Sequence, residues 1–215
     1  MNKRLSLYLS IVVIVVSLGL TGIFRLQQNR IDQQTSHISK TVSNRRKKLD
    51  TIKHERAKRN MDSKLKSTNP NIKGSAQQQS ALNDLNNTTQ KFFKVVMTAN
   101  SRDEFAARKN KVSDIATQDV LNNKDLFNSG NDSTGHSIIG ALHLHFKFDS
   151  VTVYGSSVND DGTITGNVIV YYDTWQGDND PATVADVYQV SYDTHQKKLT
   201  SVSRVANLAV TSTND

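Results

Sequence analysis

The stretch TITGNVIVYYDTW, residues 163–175, alternates with a period of two. Val168, Val170 and Tyr172 fall on one side of an extended chain, and Ile169 and Tyr171 on the other. Successive side chains of a strand point to opposite faces, and β-branched and aromatic residues suit a half-buried pleated surface, so the stretch reads as a strand. Turn signals bracket it: Asn159-Asp-Asp-Gly162 before, Gly177-Asp-Asn-Asp-Pro181 after. Beyond them lie further strand patterns. His143 to Tyr154 is rich in aromatic and β-branched residues. Val184 to Tyr192 sets Asp186, Tyr188, Val190 and Tyr192 on one face, His195-Gln-Lys-Lys198 turns again, and Leu199 to Val210 closes the series. Short turns between consecutive strands give an antiparallel meander.

Helical patterns precede the strands. Ser75 with Gln78 forms a capping-box pattern, and Leu82, Leu85, Thr89, Phe92, Phe93, Val96 and Met97 then share one helical face. Ser101-Arg-Asp-Glu104 is a second capping box, continued by Phe105, Val112 and Ile115 with a break near Asn110 to Ser113. Ile115 to Phe127 reads as another helix, and Asn128 to Ser137 as a polar loop. Helices followed by a meander predict an α+β fold over residues 75–210, helices packed on one face of a curved four-stranded antiparallel sheet, with a flexible tail over 211–215.

The other end of the chain is of different character. Leu5 to Phe24, LSLYLSIVVIVVSLGLTGIF, has no charge and no proline. As a helix it spans about 30 Å, the thickness of a bilayer's hydrocarbon core. It predicts an uncleaved transmembrane anchor, since no Ala-x-Ala-like cleavage site follows it. With only four residues ahead of the span, insertion with the N-terminus inside is the simplest, which makes residues 1–4 a short cytoplasmic N-terminus. The flanking charges, Lys3 and Arg4 against Arg25, Arg30 and Lys40, leave orientation close to a tie.

Residues 25–74 read as a basic stalk. Of the net charge of +7, residues 1–74 carry 16 Lys+Arg against 4 Asp+Glu, or +12; residues 75–215 carry 11 against 16, or −5. Ile31, Ile38 and Ile52 share one heptad position, and Val42 and Leu49 the companion position. Arg45, Arg56 and Arg59 interrupt the same seam, which predicts weak self-association by a partly helical stalk. Pro70 and Gly74 read as the end of that helix and the domain boundary. The cluster Arg45-Arg46-Lys47-Lys48 is a solvated spacer or a contact for an anionic surface, where each basic residue adds about 1 kcal/mol. Direct nucleic-acid contact is disfavoured, because no aromatic residue lies between Phe24 and Phe92 to stack on bases.

A membrane span, a polar stalk, a long helix with the Phe92-Phe93 pair, short helices and four terminal strands resemble the bitopic scaffold proteins of type IV secretion and conjugative transfer systems, in particular their Gram-positive members. The stretch Asp114 to Leu121 and the strand Val168 to Tyr172 carry the alignment. The resemblance covers about residues 1–210 through architecture. It implies a cone-shaped nuclear-transport-factor-2-like (cystatin-like) domain outside the cell membrane, and a non-enzymatic role. It also implies oligomers and contacts with other membrane components of the channel.

The same cone can host enzymes and ligand sites, so the fold alone does not decide between them. There is no cysteine, no nucleophile elbow, no His-Glu-x-x-His and no phosphate loop. His143 and His145 read as one strand face, with Asp149 or His136 as a third ligand, but no spacing demands a metal. The sequence therefore predicts no catalytic, cofactor-binding or metal residue. The alternative reading, an anchored enzyme or ligand-binding module, puts Asp149, Tyr172 and Trp175 in a pocket.

Overall fold

The computed structural model describes residues 35–212. The predicted anchor over residues 5–24 and the stalk residue Ile31 lie outside the described residues. Among the described residues, no helix is long and apolar enough to cross a membrane. The chain divides into two compact units, Met1–Ser63 and Lys64–Asp215.

A helix, α1, covers residues 35–65. Its heptad positions are exposed: Ile38 61%, Val42 43%, Leu49 51% and Ile52 37%. Arg45, Arg46, Lys47 and Lys48 are exposed on it as well.

In the second unit, α2 (Pro70–Val96) begins earlier than Ser75. Asn69 is its N-cap, its Oδ1 accepting from the Asn71 amide at 3.0 Å. The stalk helix does end ahead of this segment, at residue 65, but Pro70 takes the first position of the next helix, where its missing N–H costs nothing. Gly74 lies inside the helix. Gln78 is therefore no capping residue; its side chain accepts from the Val158 amide at 2.7 Å and donates to the Ser156 carbonyl at 3.0 Å. The Ser101 half of the second capping box forms as expected, while the Glu104 half is displaced by one residue. Ser101 Oγ accepts from the Glu104 amide at the start of α3 (Arg102–Lys111), and Glu104 reaches back to the Asn100 amide at 2.8 Å.

The helix expected over residues 115–127 is mostly absent. Only α4 (Gln118–Leu121) forms. Ala116 makes a parallel bridge to Leu199, with the Thr117 amide donating to the Leu199 carbonyl and the Leu199 amide to the Ile115 carbonyl. Those bonds hold Ala116 and Thr117 out of the helix, and tertiary pairing overrides the local apolar pattern. A last short helix, α5 (Ile138–Ala141), follows the loop.

The sheet is a meander in the order β1 (Leu144–Gly155), β2 (Thr163–Gln176), β3 (Ala182–Asp193) and β4 (Lys198–Ser212), all pairs antiparallel. The last strand passes the domain end expected at 210. Val168, Val170, Val190 and Tyr192 face inward onto Leu85, Phe92, Phe93 and Val96 of α2. Phe93 lies against Tyr188, ring centroids 4.7 Å apart, and edge-on to Phe92 at 5.3 Å. The fold is thus α+β, helices first and a four-stranded antiparallel sheet after. Phe105, Ala99 and Ile139 form a smaller buried cluster, packed on Leu144 and Phe146. Backbone bonds between Ala99 and Phe146 close it against β1.

Candidate functional site

The principal candidate is a cavity of about 490 Å³ on the inner side of the sheet, within the size range of small-molecule sites. Val96 and Met97 at the end of α2, Phe105 and Arg108 of α3, the 125–131 segment, α5 and inward residues of the sheet line it.

Its apolar wall follows from the small cluster. Phe105 and Phe146 sit with centroids 6.0 Å apart and planes tilted by 39°. Gly130 lets the loop approach this wall. It has φ +66°, and a Cβ there would stand 2.8 Å from Ile139 Cγ1 and 3.0 Å from Phe105 Cε1. Only glycine meets both conditions without strain.

Its polar floor centres on Asp186, which is 1% exposed. Three side chains donate to its carboxylate: Tyr172 Oη at 3.1 Å, Arg204 Nη2 at 2.5 Å and Asn207 Nδ2 at 2.7 Å. The convergence depends on irregular pairing. Tyr188 pairs with Arg204, Val187 with Ala206 and Asp186 with Asn207, with register shifts on either side of Asp186 and Val187. The extra residue in β4 changes the parity, so Asn207 shares a face with Arg204. The bulged residues Val205 and Leu208 turn outward and are 63% and 56% exposed.

Arg108 forms the opposite pole. It is 6% exposed and lies on the face of Phe105, its guanidinium carbon 3.5 Å from the ring centroid. Nε donates to the Phe105 carbonyl at 2.9 Å, Nη1 to Val96 at 2.7 Å and Nη2 to Leu126 at 3.3 Å. Burial pushes its pKa down to about 10, which leaves it charged at neutral pH. Burial also pushes the Tyr172 phenol up to about 12, helped by the Asp186 charge and hydrogen bond. Tyr188 is raised by the same burial and by Asp186.

Of the three residues expected in a pocket, Tyr172 lines this cavity and Asp149 and Trp175 do not. Asp149 sits at the register shift between Phe148 and Ser150, exposed, accepting from Ser150 Oγ at 2.9 Å. Trp175 is three residues from Tyr172 and so on the other face, where it stacks on His145 at 5.0 Å. His143 lies in the turn before β1 at φ +47°, not on the strand with His145. Among the described residues, no three His, Asp or Glu are grouped to hold a metal.

The residues that build the cavity's polar part, Asp186, Arg204, Asn207 and Arg108, were not singled out from sequence. Asp186 had a visible signal: a carboxylate in an inward row otherwise apolar or aromatic. Arg108 had a weaker one, three residues after Phe105 and hence on its face. Comparisons of the chain with protein-family models, curated proteins and solved structures found no match.

Proposed function

We propose that the chain is a non-enzymatic, membrane-anchored scaffold of a type IV secretion or conjugative DNA-transfer channel, its α+β unit a cone of the nuclear-transport-factor-2 type. The observation that carries this reading is the order of elements. A basic helix precedes a long capped helix, short helices and a four-stranded meander with its inner face against α2. In this reading the apolar segment at residues 5–24 anchors the protein in the cell membrane of a Gram-positive envelope, with the C-terminal unit outside. Function then comes from contacts with other membrane components and with further copies of the chain. The exposed seam Ile38, Val42, Leu49 and Ile52 supplies self-association, and Arg45 to Lys48 supplies contact with anionic lipid.

The test is purification of the full-length protein from gently solubilised membranes, with identification of what accompanies it. A secretion ATPase, a coupling protein or polytopic channel subunits are the expected companions. DNA transfer at normal frequency in a strain lacking the protein would refute the proposal.

A second reading, an anchored ligand-binding module, is favoured by one observation: the cavity beside Asp186 is large enough for a small molecule and has an apolar wall and a polar floor.

A further inference from the structure

Two polar side-chain atoms on the cavity wall lack a hydrogen-bond partner among the described residues. Tyr188 is 3% exposed, and its hydroxyl has no hydrogen-bond partner among the described residues. It is not sealed in, as the unpartnered hydroxyls of Thr89 and Thr117 are. Asn131 Oδ1 is buried without a partner and its residue lines the same cavity. Buried polar groups are satisfied in the great majority of folds, so unmatched groups converging on one cavity point to something that matches them.

The lining carries two arginines and two aspartates, but their pairing is uneven. Asp186 and Arg204 neutralise each other. Among the described residues Arg108 has no carboxylate partner; its hydrogen bonds go to backbone carbonyls, which engage three of the five N–H donors of a guanidinium. Asp125, also on the lining, is exposed to water that screens it. With Asp186 bonded to Arg204, Arg108 is left as a buried cation with no carboxylate bonded to it among the described residues, beside the paired Phe105 and Phe146 rings. A planar guanidinium with donors to spare suits a carboxylate.

We propose that this cavity binds a small aromatic or branched-chain carboxylate, the anionic end held by Arg108 and the Tyr188 hydroxyl, the apolar body against Phe105, Phe146 and Ile139. This rests on the ligand-binding reading of the cavity and is independent of the scaffold reading. Asn131 then accepts from any hydroxyl the ligand carries.

The experiment is calorimetric titration of the full-length protein, held in lipid nanodiscs, with 3-phenylpropionate and with its neutral isostere 3-phenylpropionamide. The expected result is saturable binding of the acid, with the amide weaker by about tenfold or more, the loss of one charge-assisted hydrogen bond. Tyr188→Phe removes only an unpartnered hydroxyl, so it should keep the melting temperature and weaken the acid by about tenfold. Arg108→Lys should weaken it further, and if that variant does not fold, Tyr188→Phe decides. Equal binding of acid and amide would overturn the carboxylate assignment while leaving a ligand cavity. Unchanged affinity in Tyr188→Phe would overturn the role of its hydroxyl. No saturable binding of either probe would overturn both this inference and the ligand-binding reading.

Discussion

Tyr172 donates its hydroxyl to Oδ2 of Asp186 at 3.1 Å, diagonally across the β2–β3 pair. The bond joins a phenol and a carboxylate in the same buried layer, and it makes the fold sensitive to alkali. Burial first, then the Asp186 charge and hydrogen bond, raise Tyr172 to about 12, and Tyr188 is raised as well. In the unfolded chain both ionise near their ordinary value of about 10. Between about pH 10 and 12 the unfolded state binds fewer protons than the folded one, so stability falls as pH rises through that window and is complete below it. Denaturant midpoints should decline over this range, and less steeply in Tyr172→Phe. Parallel declines in both proteins would show that Tyr172 does not carry the effect.

Arg108 ties the end of α2, α3 and the 126 carbonyl together. Arg108→Met keeps much of the stem but leaves the carbonyls of Val96, Phe105 and Leu126 without this donor. Each unsatisfied buried acceptor costs about 1–3 kcal/mol, partly offset by the burial cost the charge no longer bears. A net loss of about 3 kcal/mol is expected in urea unfolding. A loss below about 1 kcal/mol would mean that water satisfies those carbonyls.

Thr89 presents the reverse case. It is fully buried on α2, and its Oγ1 has no partner. Thr89→Val replaces that hydroxyl with a methyl group of similar size. Removing an unsatisfied buried polar atom should stabilise the protein by about 1 kcal/mol. A destabilised Thr89→Val would reveal a hydrogen bond that forms in solution.

The start of α2 separates two residues that the sequence makes look alike. Asn69→Ala removes the cap to the Asn71 amide and should cost about 1 kcal/mol. Ser75→Ala, inside the helix, should be neutral or slightly stabilising, because alanine is the better helix former. Equal costs at both positions would place the helix start elsewhere.

The strands were legible because their signal is local. Val168, Val170 and Tyr172 alternate with Ile169 and Tyr171, and the turns at Asn159 to Gly162 and at Gly177 to Pro181 mark where each run ends. The second capping box was legible for the same reason, since Ser101 and Glu104 need only one turn of helix to meet. Residues 115–117 carry an apolar pattern that fits a helix, and it is Leu199, far along the chain, that holds Ala116 and Thr117 out of one. The break expected around Pro70 is present, since α1 stops at residue 65, but Pro70 itself opens α2: a proline that ends one helix and a proline that begins the next are alike in composition. What separates them is the cap offered by Asn69.

The candidate site divides along the same line. Parity alone excludes Trp175 from the face of Tyr172, and the sequence contained that fact. Asp186 stood in plain view in an inward row. Its partners did not, because Arg204 and Asn207 reach it together only through the extra residue at Val205, and a bulge leaves no fixed mark in a sequence. The sequence by itself determined the class of fold, the inward faces of β2 and β3 and the basic character of residues 1–74. The tertiary structure alone decided which polar groups share a cavity, because hydrogen-bond partners within about 3 Å are set by packing between distant segments and not by spacing along the chain.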